Sequence, residues 1–222
     1  MVSYRFNTII FDLDGTLVDS LYDIAEAANS ALAALGFPAH PKEKYRRFVG
    51  DGLTTLAERI VPAGSDKSQI SETVRQFKII YQENWARNSC PYPGIMTMLK
   101  ILAAHPLNLA VLSNKPDDFT QLFVARFFPD SMFGQVIGNR ENLPKKPDPT
   151  GALTIADYFH VESASCLLVG DSSVDIMTGK SAGMTSMGVT WGFRERRELE
   201  ESGADIIIDQ PSEILSYVLI DR

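Results

Sequence analysis

The chain has 222 residues, a formal net charge of −7, 45% hydrophobic and 22% charged residues, an ordinary globular composition with enough apolar material for a sizeable core. The acidic balance argues against nucleic acid, which needs a basic footprint. No apolar stretch approaches the roughly 18 residues needed to cross a membrane. The first apolar run, Thr8 to Phe11, is too short for the apolar region of a signal peptide and has no small-residue cleavage site. A soluble, cytoplasmic protein is expected. In that setting Cys90 and Cys166 read as reduced structural thiols, too few to make a metal cluster by themselves.

Short apolar runs recur along the chain, at Thr8–Phe11, Leu109–Leu112, Gln135–Ile137, Cys166–Val169, Thr185–Val189 and Asp205–Ile208. Each is too short for a helix, and several are apolar at consecutive positions, as strands buried on both faces are. Helical patterning alternates with them, at Ile95–Ala104, Phe119–Phe127, Pro149–Phe159 and Val174–Ala182. The alternation predicts an α/β fold, a parallel sheet with helices on both faces.

One stretch breaks the alternation. Between the first strand and Pro93 no strand is expected, only helical patterning at Asp19–Leu35, which stops at Gly36, and at Leu53–Val61 and Ile70–Arg87. The expected organisation is a core of residues 1–16 and 91–222 and an inserted helical domain of residues 17–90, with hinges near Leu17 and Asn88. From Leu17 to Cys90 nine basic residues balance nine acidic ones. The remaining 12 basic and 19 acidic residues carry the whole excess.

The chemistry-bearing signals fall on strand ends. Phe11-Asp12-Leu13-Asp14-Gly15-Thr16 closes the first strand with two acids on one face of an extended chain. That carboxyl end is where open parallel sheets bind ligands. Two close carboxylates repel unless a cation or proton intervenes, and a hard oxygen-seeking ion such as Mg²⁺ suits a site without His or Cys. Gly15 permits the sharp turn that brings backbone N–H groups toward an anion. Ser113-Asn114-Lys115 follows the second core strand, Lys145-Lys146-Pro147-Asp148-Pro149 lies in a loop, and Gly170-Asp171-Ser172-Ser173-Val174-Asp175 closes another strand. Each has an unremarkable alternative: a helix cap for Ser113-Asn114, a solvated basic turn for the lysines, and a favourable first-turn acid for Asp175.

In that order the four motifs D-L-D-G-T, S-N, K-P and G-D-S-S-V-D resemble the haloacid dehalogenase superfamily, and within it the phosphoglycolate phosphatase-like branch. The resemblance extends to D-G-T-L-V-D-S, A-G-M, G-V-T-W-G-F-R and G-A-D-I-I-I-D, so it covers essentially the whole chain. It implies a Rossmann-like parallel sheet with a helical cap, and a Mg²⁺-dependent phosphatase acting on small phosphate monoesters as a monomer or homodimer. Asp12 is then the nucleophile that becomes an aspartyl-phosphate, and Asp14 the acid and base. Mg²⁺ is held by the Asp12 and Asp171 carboxylates and the Asp14 carbonyl, with Asp175 ordering its waters. Gly15, Thr16, Ser113 and the Asn114 backbone bind the phosphoryl group. Lys146, directly before Pro147, offsets the repulsion between Asp12 and the phosphate; Lys145 is the alternative.

Asp14 disfavours a dehalogenase, which lacks the second acid. A mutase would carry a His where Ile24 stands, and basic residues in Phe48–Leu53. A phosphonatase would need a cap amine, for which Lys42 and Lys44 are candidates. A pyrophosphatase, or a non-catalytic module on the same fold, are the remaining alternatives. His40, His105 and His160 fall outside every motif. The loop Arg46-Arg47-Phe48-Val49-Gly50-Asp51-Gly52 is the expected reader of the leaving group. The competing reading is that Asp51 caps the next helix and the arginines are solvated.

Overall fold

The computed structural model describes residues 2–221. Along the first half of the chain lie β1 (Val2–Tyr4), β2 (Thr8–Phe11), β3 (Val18–Asp19), α1 (Leu21–Ala34), α2 (Tyr45–Phe48), α3 (Leu53–Ile60), α4 (Lys67–Asn84) and β4 (Cys90–Pro91). The second half adds α5 (Ile95–Ala103), β5 (Asn108–Pro116), α6 (Asp117–Phe127), β6 (Gln135–Asn139), α7 (Thr150–Tyr158) and β7 (Cys166–Gly170). It closes with α8 (Ser173–Ser181), β8 (Thr185–Val189), α9 (Arg196–Glu201), β9 (Ile206–Ile208), α10 (Ile214–Val218) and β10 (Leu219–Asp221).

Six strands form one sheet in the order β6-β5-β2-β7-β8-β9, every neighbouring pair parallel. Successive side chains of a strand point to opposite faces, and both faces here are covered. Ile9, Phe11, Val111, Leu167 and Val169 enter one buried cluster, while Ile10, Ala110, Leu112, Cys166 and Leu168 enter the other. Double coverage is why these strands read as continuous apolar runs rather than alternating ones. Phe11 is 1% exposed, so truncating it to Ala should cost about 3–5 kcal/mol. The two-sided core fixes the strands, and with them the carboxyl ends of β2, β5 and β7.

The four helices between β3 and β4 pack on one another over a core that includes Ala28, Leu32, Tyr45, Leu56, Ile60 and Phe77. An 18-residue α4 starts at a full capping box, in which Asp66 and Gln69 exchange side-chain bonds with each other's backbone N–H. The expectation of no strand in this stretch needs correction. Val18–Asp19 and Cys90–Pro91 pair antiparallel as β3 and β4. At two residues each they are too short to show a periodicity. They bring the two junctions of the helical segment side by side. Asp23 on α1 reinforces the junction: its buried carboxylate accepts from the backbone N–H groups of Asn88 and Ser89, the Asn88 Nδ2 and the Ser89 hydroxyl.

Among the described residues, no helix is long and apolar enough to cross a membrane. Cys90 and Cys166 are free thiols.

Candidate active site

The carboxyl ends of β2, β5 and β7 bring together residues that are more than a hundred positions apart in the chain. Asp12 follows β2, and its Oδ1 accepts from Lys146 Nζ at 2.7 Å. The same ammonium donates to Asp175 Oδ1 at 2.6 Å. Lys146 is 4% exposed, and Asp171 and Asp175 are buried beside it. Lys145 points elsewhere: it is exposed, and its Nζ donates to the Asp51 carbonyl at 2.6 Å and to Thr55.

Asn114 holds Lys146 in place by its side chain. Its Oδ1 accepts from the Lys146 backbone N–H at 2.9 Å, and its Nδ2 donates to the Lys146 carbonyl and the Gly50 carbonyl, both at 3.0 Å. Only the backbone of Asn114 was expected to matter. Ser113 lies at the end of the β5 core, where its oxygen accepts from the Lys115 N–H at 3.2 Å, leaving its own proton for another acceptor. Among the described residues the buried Thr16 hydroxyl has no partner, and the Thr16 carbonyl accepts from Trp191 Nε1.

Carboxylate oxygens of Asp12, Asp171 and Asp175 lie within 4.8 Å of one another. Glycines permit that crowding. A Cβ on Gly15, at φ +91°, would collide with the Asp171 carboxylate. One on Gly170 would collide with Asp175, and one on Gly192 with Asp171 and the Gly15 carbonyl. Asp171 Oδ2 is oriented by the Phe193 N–H at 2.6 Å. Asp175 faces the cluster, and its Oδ2 also completes a capping box with Ser172 at the start of α8.

Of the three buried carboxylates, Asp12 and Asp175 share the Lys146 ammonium and Asp171 does not pair with it, and the electrostatics show the deficit. Burial, with help from Asp175 and Asp14, pushes the Asp12 carboxyl up to about 7 against the pull of Lys146. Burial, then Asp175 and Asp12, hold Asp171 well above the carboxylate range. Burial opposes the charge on Lys146, yet Asp12 and Asp175 outweigh it and raise its pKa. A hard divalent cation would remove the excess repulsion, and a set of oxygen donors without His or Cys suits one.

Asp14 faces a different neighbourhood. It accepts from the Ser20 hydroxyl at 2.6 Å and from Lys115 Nζ at 3.1 Å on both oxygens. That ammonium also donates to the Tyr81 hydroxyl of α4 at 2.9 Å and sits 4.0 Å from the centre of the Phe123 ring. Burial lowers the pKa of Lys115, with Asp14 opposing. Sequence reasoning assigned no role to Lys115 or Tyr81.

A cavity of about 60 Å³ opens between these strand ends and the helical segment. Asp12, Asp14, Ser113, Asn114 and Lys115 line one side, and Ile24, Val49, Leu53, Leu56, Phe77 and Tyr81 the other. Ile24 thus stands on the wall as an apolar residue, without the proton-transfer capacity of a histidine. Lys42, stacked over Tyr22 at 4.3 Å, and Lys44, exposed, are not on the wall. His40 bonds the Ile60 carbonyl and His105 the Tyr4 hydroxyl, both away from it.

One part of the sequence readings of the Arg46–Gly52 loop needs correction, the helix cap. Gly52 rather than Asp51 precedes α3, and Asp51 pairs with Arg59 at 2.6 Å. Arg46 and Arg47 are both exposed and neither lines the cavity, but Arg46 also donates to the Gly192 and Phe193 carbonyls at 2.6 and 3.2 Å. Arg194 reaches back to the Val49 carbonyl at 2.7 Å. These two arms clasp the helical segment to the sheet. Gly50 and Gly52, at φ +124° and +88°, do line the cavity.

Residues 9–189 match the family model of the haloacid dehalogenase-like hydrolases. The chain belongs to that family. It is 33% identical to a phosphoglycolate phosphatase of Haemophilus influenzae over 96% of this chain and 99% of the relative. A phosphoglycolate phosphatase of Vibrio parahaemolyticus is 32% identical over 99% of each. Among solved structures, a predicted phosphoglycolate phosphatase from Haemophilus somnus superposes with a TM-score of 0.89 at 32% identity, covering 95% of this chain and 97% of that one. A haloacid dehalogenase-like family protein from Streptococcus pneumoniae gives 0.87 at 25%, covering 96% and 98%. Within the haloacid dehalogenase family the chain therefore falls on the phosphoglycolate phosphatase-like branch. Haloacid dehalogenase-type phosphatases generally use a divalent metal, which agrees with the crowded carboxylates of Asp12, Asp171 and Asp175.

Proposed function

We propose that this haloacid dehalogenase-type phosphatase hydrolyses small phosphate monoesters through an aspartyl-phosphate at Asp12, with Mg²⁺ as its metal and 2-phosphoglycolate as its preferred ester. The observation that carries the reading is the convergence of Asp12 and Asp171, at the ends of β2 and β7, with Asp175 of α8 and the loop residue Lys146, beside a small cavity that Asp12 also lines.

The Asp12 carboxylate attacks phosphorus as the bond to the leaving oxygen breaks, and Asp14 gives that oxygen its proton. Asp14 then takes a proton from water, which attacks the aspartyl-phosphate and returns Asp12 and inorganic phosphate. Lys146 is placed to offset the charge that builds between Asp12 and the phosphoryl oxygens. The Ser113 hydroxyl and the backbone N–H of Asn114 would bind those oxygens, whereas the backbone N–H groups of Gly15 and Thr16, also expected to do so, already donate to the Val18 and Leu13 carbonyls. The Asp12 and Asp171 carboxylates and the Asp14 carbonyl would hold Mg²⁺, with Asp175 ordering its waters. When bound, the ion neutralises charge between nucleophile and phosphate.

Residues 17–90 act as the cap, hinged at β3 and β4, and residues 1–16 and 91–222 as the catalytic core. Closure excludes water and completes the pocket. The cavity walls weigh against sugar phosphates, because Ile24, Leu53, Leu56 and Phe77 offer nothing to a buried sugar hydroxyl. A cytoplasmic setting and a monomeric or homodimeric enzyme complete the proposal.

The test is a panel of phosphate monoesters compared by kcat/KM in Mg²⁺, in Ca²⁺ and after chelation. The proposal expects 2-phosphoglycolate to lead the panel, with turnover lost on chelation and poor in Ca²⁺. Equal turnover of all esters would remove the substrate assignment, and full activity after exhaustive chelation would remove the metal.

A further inference from the structure

Lys115 and Tyr81 form a pair that the reaction as described does not require. The ammonium comes from the end of β5 and the hydroxyl from α4, 34 positions apart in the chain, and they meet at 2.9 Å on the cavity wall. Lys115 is 7% exposed, and Tyr81 1%. Burying a lysine this deeply is costly unless it meets an anion. Its partner, Asp14, is already served by the Ser20 hydroxyl. Phosphoryl-transfer chemistry has its own buried cation in Lys146.

The charges on the cavity wall sharpen the point. Its charged residues are Asp12, Asp14 and Lys115, so Lys115 is the only cation among the described lining residues. Ile24, Val49, Leu53, Leu56, Phe77 and Phe119 make the rest apolar. Tyr81 accepts a hydrogen bond from Lys115, and among the described residues nothing accepts the Tyr81 proton. An ammonium and a free hydroxyl proton therefore stand side by side, two donors spaced for the two oxygens of one carboxylate.

We propose that Lys115 and Tyr81 are the receptor for a carboxylate borne by the leaving alcohol, and so make this enzyme selective for phosphate esters of small hydroxy acids. The inference rests on Asp14 being the residue that protonates the leaving oxygen. A carboxylate one carbon beyond that oxygen falls within a few ångströms of Asp14, which repels it. Lys115, 3.1 Å from both Asp14 oxygens, lies where it can offset that repulsion. Because Tyr81 belongs to α4, the receptor is complete only when the helical segment is closed, so the acid group of the correct ester favours closure.

The experiment compares 2-phosphoglycolate with its carboxamide, which keeps the shape and removes the charge. It uses the full chain in Mg²⁺, as wild type, Lys115→Met and Tyr81→Phe. The wild type should prefer the carboxylate by roughly 100-fold in kcat/KM, chiefly through KM, as a charged bond to a buried partner implies. In Lys115→Met the preference should collapse to within about threefold of unity, and in Tyr81→Phe it should shrink by roughly tenfold. A wild type indifferent to the carboxylate overturns the proposal without any variant, so it stays refutable even where Lys115→Met fails to fold. Equal losses on both esters, with the preference intact, also overturn it, and reduce Lys115 to a residue that positions Asp14. Failure of the wild type to hydrolyse either ester, or an aryl phosphate, defeats the phosphatase reading itself and is distinct from both.

Discussion

Removing metal should make this protein's stability fall as pH rises. In the metal-free protein Asp12 holds its proton up to about pH 7, against an ordinary value of 3.8, because it is buried and flanked by Asp175 and Asp14. The native state then binds more protons than the unfolded chain between those values, so stability declines with rising pH. The penalty is absent below about pH 4 and complete above about pH 7. At about 1.4 kcal/mol for each tenfold change in proton affinity, it totals roughly 4 kcal/mol, of which roughly 3 kcal/mol falls between pH 5 and 8. Asp171, displaced in the same direction, adds to it. For a chain of this size the drop in Tm is about 6–12 °C. The assay is thermal unfolding of chelator-treated protein across pH 5–8, repeated with Mg²⁺ and with Asp12→Asn. Mg²⁺ should restore Tm at pH 8 and do little at pH 5, and Asp12→Asn should flatten the metal-free slope. A metal-free Tm that is constant or rises over this range would refute the charge-deficit reasoning.

Gly192→Ala places a methyl group against Asp171 and the Gly15 carbonyl; it should cost about 1–3 kcal/mol by overpacking and weaken Mg²⁺ binding, measured by calorimetry. Asp23→Asn replaces one acceptor oxygen with an NH2 group that faces the donors of Asn88 and Ser89 and should lower stability by about 1–3 kcal/mol in denaturant unfolding. Arg46→Ala removes one arm of the clasp on the Gly192 and Phe193 carbonyls; KM should rise severalfold with the fold retained, read from steady-state kinetics and circular dichroism.

The core strands were legible chiefly because the central ones are buried on both faces, so that Thr8–Phe11 or Cys166–Val169 stands out as an apolar block. The acids at those strand ends were legible for the same reason: the blocks end where Asp12 and Asp171 begin. What escaped notice is carried by distance or by brevity. The strands Val18–Asp19 and Cys90–Pro91 have no period to show. Lys115 lies next to a recognisable motif, but its meaning depends on Tyr81, and a lone tyrosine on α4 reads as core. Arg46 looked available to a ligand because the carbonyls it serves lie some 146 positions away. Gly192 carries no signal of its own until Asp171 is seen against it.

The central claim is that the Asp12 carboxylate bonds to phosphorus during turnover. Rapid acid quench with a ³²P-labelled ester, borohydride reduction of the acyl phosphate and peptide mapping by mass spectrometry test it directly. The account predicts a transient phosphoenzyme, reduction of residue 12 alone to homoserine, and loss of both signal and turnover by at least about a thousandfold in Asp12→Asn. Label on another residue, or an Asp12→Asn enzyme that keeps more than a few per cent of wild-type turnover, would contradict it.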